Sequence, residues 1–288
     1  MDDHRREQVK EGLQKVLNTH GYGFHYAILR KVHELFANGK SKWVFEAAEF
    51  PVTVRGFDTR IDFILRSPDP FAVYWDCFLV AECKRINPAF SNWCFMRAPY
   101  VHRKHPDKIV MEKLIHSDSH GPVSSGEPLF SDKENTYHLR VEVTSGQKGD
   151  TRGKGRGLIE EAATQVCKCL NGLIEEFGKR EQEFSKKGPN LHFLPVIFTT
   201  AQIWTSEVDM GGADLQTGEF DLKDIDAKER DWIWLQYPLS PGIKHSIRSY
   251  NVPKGLGEVL AQDYIRTIAV VTANGIEEFL SKEWWLYL

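Results

Sequence analysis

A chain of 288 residues with 41% hydrophobic and 27% charged residues can bury a full core, which excludes a small stapled module and predicts one large domain or one domain with a substantial addition. The formal charge of -3, from 37 Lys+Arg against 40 Asp+Glu, gives no global field for a polyanion and leaves that role to local basic patches. Cysteines 77, 83, 94, 167 and 169 are odd in number and argue against a disulfide framework; no apolar run reaches the roughly 18 residues of a membrane span, so an intracellular, cytoplasmic protein without a membrane partner is expected.

Apolar residues at helical spacing predict helices over 5–18 and 23–38, the second through Phe24, Ala27, Ile28, Leu29, Val32, Leu35 and Phe36 with Asn38-Gly39 as its stop. Trp43 to Val54 reads as a strand bent at Pro51. A turn at Arg55-Gly56-Phe57-Asp58, a strand at 60–66, a Pro/Asp turn at 67–70 and a strand at 78–84 complete a three-strand meander behind a helix. Residues 86–136 mix Pro, His, Lys, Ser and Gly with short apolar pieces and read as an insertion, after which 137–144 resumes as a strand. A Gly/Lys/Arg-rich loop at 145–157 leads into a strong helical pattern at 158–178, and 190–200 is an apolar, buried strand. Beyond a polar stretch at 206–230, strands are expected at 231–237 and 265–272 and a helix at 274–283. The organisation expected is a core over 1–200, including the insertion at about 86–136, with 201–288 as a C-terminal extension folded onto it.

Chemistry concentrates in the meander, where Thr59-Arg60-Ile61-Asp62-Phe63-Ile64-Leu65 is followed by Phe78-Leu79-Val80-Ala81-Glu82-Cys83-Lys84-Arg85. If these strands are antiparallel neighbours, Asp62 lies early in one and Glu82 late in the other, so the two carboxylates meet at one edge of the sheet. Glu82 and Lys84, two apart, share a face. Oxygen ligands of this kind suit Mg²⁺, which prefers one or two carboxylates with waters and substrate phosphate. The lysine ammonium could orient an attacking water or offset charge on a pentavalent phosphate. The bland alternative is a cross-strand salt-bridge cluster, since the spacing alone is common. Against it, Val80, Ala81 and Cys83 surround Glu82 with apolar residues, where a charge is costly without a partner or a metal.

On Ile61-Asp62 and Glu82-Cys83-Lys84, with helix 158–178 and strand 190–200 behind them, the chain resembles the PD-(D/E)xK, or restriction-endonuclease-like, nuclease superfamily. The resemblance covers residues 23–200. It implies an α/β fold with a mixed β-sheet flanked by helices, and Mg²⁺- or Mn²⁺-dependent cleavage of DNA, less often RNA. By position it makes Asp62 and Glu82 metal ligands and Lys84 the catalytic lysine, with Glu34 on helix 23–38 as a further carboxylate near the metal and Gln165 on helix 158–178 as an auxiliary residue. This chain departs from the pattern in having Ile61 where proline is common, a long connection at 67–77, and the insertion separating Lys84 from the next clear elements, which makes strand 137–144 an alternative core strand. Glu46 and Glu49 are poorer site candidates, as neighbours of Arg60 or Lys42.

Two basic segments could carry a nucleic acid. The loop before helix 158–178 spaces Lys148, Arg152, Lys154 and Arg156 with glycine, which suits phosphate binding; Gly157 is followed by Leu158, so it does not spell a P-loop. The second interleaves Arg97, His102, Arg103, Lys104, His105 and Lys108 with Trp93, Phe95 and Tyr100, residues that either meet bases or pack the insertion onto the body. No nucleophile elbow is present. The expected function is a metal-dependent nuclease acting on DNA ahead of RNA, with a homodimer as one possible assembly. The competing expectation is an inactive nuclease-like fold that binds nucleic acid or protein.

Overall fold

In the computed structural model, which describes residues 3–19, 21–68, 75–86, 92–98, 107–117, 121–143, 157–180, 190–240, 242, 255 and 264–282, the chain opens with helices α1 (Asp3–Thr19) and α2 (Tyr22–Ala37). His25, Ile28, Val32 and Leu35 form the buried stripe of α2. The helix stops where expected: Gly39 takes φ +67, and Lys40 N–H donates to the Leu35 carbonyl at 2.9 Å, closing the end of the helix with the left-handed residue that glycine accommodates best.

The meander follows as β1 (Val44–Val54), β2 (Phe57–Pro68) and β3 (Trp75–Lys84), antiparallel in that order. Only Arg55 and Gly56 join β1 to β2, with φ of +51 and +81, the two positive values that let a two-residue turn match the twist of the strands. Next come β4 (Asn92–Met96), β5 (Lys108–Ser117), β6 (Gly121–Ser131), β7 (Thr136–Tyr137) and β8 (Leu139–Val143). Helix α3 (Leu158–Arg180), β9 (Asn190–Thr199), β10 (Gln202–Ser206), β11 (Ala227–Arg230), β12 (Trp232–Pro238), β13 (Ile265–Thr272) and α4 (Ile276–Ser281) complete the described elements.

Among the described residues the main sheet is nine-stranded and mixed, in the order β1-β2-β3-β9-β13-β12-β7, with β5 and β6 joined to the N-terminal half of β9. β9 runs parallel to both β3 and β13. A second sheet orders β11-β10-β4-β8. Both faces of the main sheet are covered, which is why β13 is buried at every position and carries the apolar run Ile268-Ala269-Val270-Val271. On one face Ile28, Val32 and Leu35 of α2 pack with Phe279 and Leu280 of α4 over Phe63, Leu65, Leu79 and Phe198. On the other, α3 packs Cys169, Leu170, Leu173 and Ile174 against Val52, Ile64, Phe78 and Val80, and its first half against Ile197, Ile233 and Val270. A Cβ added at Gly172 would fall 2.8 Å from Val52 Cβ, so the missing side chain is what lets α3 settle on β1.

The mixed sheet flanked by helices, the three-strand meander and the helix across it agree with the sequence reading. The rest of the chain differs in detail. The strand expected at 137–144 breaks at His138 into β7 and β8, which join different sheets. The segment 86–136 carries three strands, one of them paired with β9, and 227–230 is a strand at the end of the polar stretch 206–230, paired with 203–206. Residues after 200 supply β12 and β13 to the main sheet, beside β9. No helix of the described residues is long and apolar enough to cross a membrane.

Candidate active site

The β2–β3 ladder runs from Pro68 opposite Asp76 to Phe63 opposite Ala81, so its next step sets Asp62 against Glu82. Asp62 Oδ2 accepts a hydrogen bond from the Cys83 backbone N–H at 2.6 Å, which pins the aspartate to the end of β3. Lys84 lies on the same side of β3 as Glu82, with Nζ 3.0 Å from Glu82 Oε1 and 3.1 Å from Glu161 Oε1 on the first turn of α3. Three elements thus converge: β2 brings Asp62, β3 brings Glu82 and Lys84, and α3 brings Glu161.

Glu82 is 2% exposed, and its Oε2 has no hydrogen-bond partner. Burial and the neighbouring Asp62 charge push its carboxyl up to about 8, even with Lys84 at hand. Burial likewise raises Asp62, against the lowering effect of the Cys83 hydrogen bond. For Lys84, burial lowers the pKa, but the Glu82 charge and the hydrogen bonds to Glu82 and Glu161 outweigh it, so the ammonium persists. Two facing carboxylates, one with an orphaned oxygen, hold less positive charge than they can use. A divalent cation fits that deficit, and Asp62 and Glu82 are the residues that would hold it. Among the described residues no three of His, Cys, Asp and Glu form a ready-made metal cage, so water and substrate would have to complete the coordination, as is usual for Mg²⁺.

The surroundings contain groups that the sequence reading undervalued. His25, on the buried stripe of α2, stacks against Tyr26 with ring centres 5.3 Å apart and lies 5.2 Å from the Phe63 ring; it sits within the fields of Asp62 and Glu49, and burial lowers its pKa despite both. Glu49 falls between the Ala48–Phe63 and Phe50–Ile61 pairs, hence opposite Asp62, and has φ +50. A polar residue on an otherwise apolar helical stripe was the available signal for His25. Glu161 had only its place in the first turn of a helix.

The remaining expected residues lie elsewhere. Glu34 is nine residues beyond His25, about half a turn out of phase at roughly 100° per residue; it is exposed and reaches Arg30 at 3.7 Å. That phase sets Glu34 on the opposite side of α2 from His25, the residue of this helix that lies within the field of Asp62. Gln165 is half-buried on α3 and lines a cleft that also contains Glu161. Arg97 stacks over the Tyr137 ring at 5.3 Å, pairs with Glu207 at 3.1 Å, and donates to the carbonyls of Lys133 and Glu134 at 2.6 and 2.8 Å. Trp93 and Phe95 are fully buried. This end of the second basic segment therefore clamps β4 to its neighbours, because the apolar side chains of β4 serve a core. Arg103 and Lys104, with Lys148, Arg152, Lys154 and Arg156, lie outside the described residues.

No protein-family model, no curated protein and no solved structure matches this chain.

Proposed function

We propose that the protein is a metal-dependent nuclease of the restriction-endonuclease-like kind, hydrolysing phosphodiester bonds in DNA ahead of RNA with Mg²⁺ or Mn²⁺. The observation that carries this reading is the buried Glu82, facing Asp62 across two strands, with an unpartnered oxygen and Lys84 at 3.0 Å. When bound, the divalent ion supplies Lewis-acid polarisation of the phosphoryl oxygen and an acidified water. Asp62 and Glu82 would hold it, and the Cys83 N–H keeps Asp62 turned toward its partner. Lys84 acts as a fixed positive charge, since its raised pKa keeps the ammonium protonated and disqualifies it as a base at neutral pH. From that position its Nζ can orient the attacking water or stabilise charge on the pentavalent phosphate. Glu161 holds the ammonium from the other side.

The test is an end-labelled digestion series on linear, circular and branched DNA beside RNA, across Mg²⁺ and Mn²⁺. Glu82→Gln should abolish cleavage and retain the fold. Lys84→Ala should lower the rate by roughly 10²–10³, the usual effect of one electrostatic catalytic group. Tight binding by the wild type with no cleavage under any metal would replace the enzyme with a binding module.

A further inference from the structure

Glu161 has a second setting besides its contact with Lys84. A cleft of about 660 Å³ opens beside it, walled by Arg55, Phe57 and Thr59 of the β1–β2 hairpin and by Glu161, Gln165 and Lys168 of α3. The proposed chemistry at Asp62, Glu82 and Lys84 makes no use of the hairpin side of this cleft. Phe57 is 79% exposed, a large aromatic ring left in water at the first residue after the turn. Arg55 occupies the left-handed region at φ +51, where glycine or asparagine is the comfortable choice, and places a guanidinium on the turn. Lys168 is exposed on the facing helix and has no ion-pair partner among the described residues. Two carboxylates share the cleft: Asp58, which accepts from the Thr53 hydroxyl at 2.8 Å, and Glu161, which Lys84 offsets from 3.1 Å.

We infer that this cleft receives an unpaired stretch of nucleic acid strand, with Phe57 stacking on a base and Arg55 and Lys168 meeting the phosphates beside it. The volume lies in the range of a single-ligand pocket, about 300–1,000 Å³, and suits one or two nucleotides and not a duplex. Aromatic stacking with cationic backbone contacts is the usual composition of a single-strand site, because every base offers a ring face and every linkage a charge. Gln165 and Thr59 add an amide and a hydroxyl able to bond base edges. The inference rests on the nuclease reading, in that Glu161 joins the cleft to Lys84. It gives that enzyme a preference for strands that are already open, such as forks, flaps and single-stranded ends.

Binding and cleavage together test it. In the cleavage-silent Glu82→Gln protein, fluorescence anisotropy is measured with a labelled oligo-dT and with a blunt hairpin duplex. Phe57→Ala should weaken oligo-dT binding about tenfold and leave the duplex unchanged, Phe57→Trp should restore it, and Phe57→Leu should not. Replacing Arg55 with Asn and Lys168 with Gln together should reduce the slope of log affinity against log salt for oligo-dT by about 1.4, at roughly 0.7 per lost single-strand phosphate contact. Equal oligo-dT affinity in Phe57→Ala and its parent overturns the inference, as does a Phe57→Leu protein that binds as well as Phe57→Trp. A wild-type enzyme that cleaves, but whose preference for forks over blunt duplex survives Phe57→Ala, overturns the cleft and leaves the nuclease. Loss of oligo-dT binding in Phe57→Ala, with no wild-type cleavage under any metal, supports the cleft and removes the nuclease.

Discussion

Glu82 is a carboxyl that cannot easily ionise where it stands, and that gives it a signature in stability. Its pKa rises from an ordinary 4.5 to about 8 on folding, through burial first and the Asp62 charge second. Between those values the folded chain holds a proton that the unfolded chain has released, so the stability attached to this group is complete below about pH 4.5 and is lost as pH rises through 8. The loss is on the order of 5 kcal/mol. Urea denaturation in EDTA should show it as a falling midpoint from pH 5 to pH 8, and Glu82→Gln, which is neutral throughout, should flatten the slope. Added Mg²⁺ or Mn²⁺ should flatten it in the wild type alone, since a cation stabilises the ionised pair. A wild-type slope no steeper than that of Glu82→Gln would show that the carboxyl is ionised in the folded chain.

Helix α3 works as one body, carrying Glu161 to Lys84 at one end and seating on β1 through Gly172. The helical glycines Gly12 and Gly172 therefore predict opposite outcomes for the same substitution. At Gly12 an added Cβ meets nothing within 4 Å, so Gly12→Ala on α1 should gain the helix-propensity difference, about 1 kcal/mol. At Gly172 the same Cβ meets Val52 Cβ at 2.8 Å and Cγ2 at 2.9 Å, atoms of a stiff β-branched side chain. Overpacking of that kind typically costs about 1–3 kcal/mol and outweighs the propensity gain. Gly172→Ala should lower the urea midpoint, Gly172→Val should lower it further, and both should slow the proposed cleavage as α3 lifts Glu161 from Lys84. A Gly172→Ala protein as stable as wild type would mean that β1 yields instead.

At the scale of the molecule, β9 is the hub, taking β3 on one side and β13 and β5 on the other. Trp232 and Trp234 of β12 and Phe279 of α4 share one cluster with Leu35 and Phe63 from the first quarter of the chain. Residues 201–288 are thus structural partners of the segment that bears Asp62 and Glu82. Truncation after residue 200 should yield an insoluble chain, or one lacking near-ultraviolet dichroism and cooperative unfolding, because it bares the β13 side of β9 and removes those side chains from the core. A soluble, cooperatively folded 1–200 fragment would show the two parts to be separable.

The meander, the helix laid across it and the placement of Asp62 opposite Glu82 were legible in the sequence, because each rests on local rules: period two in strands, 3.6 residues per turn in helices, and connections too short for a crossover, which leave consecutive strands no pairing but an antiparallel one. Glu34 and His25 show where local rules stop, since the apolar stripe of α2 was visible but not the element it would cover. The same holds for Trp93 and Phe95, which sequence composition allowed to be surface rings and which the β4 pairing with β8 and β10 buries. Strand order around β9, the split of 137–143 between two sheets and the cleft between the β1–β2 turn and α3 are products of long-range burial. Nothing in a linear pattern encodes which apolar faces will meet; that is decided by the packing that buries the most apolar surface with every backbone group bonded, a property of the folded whole.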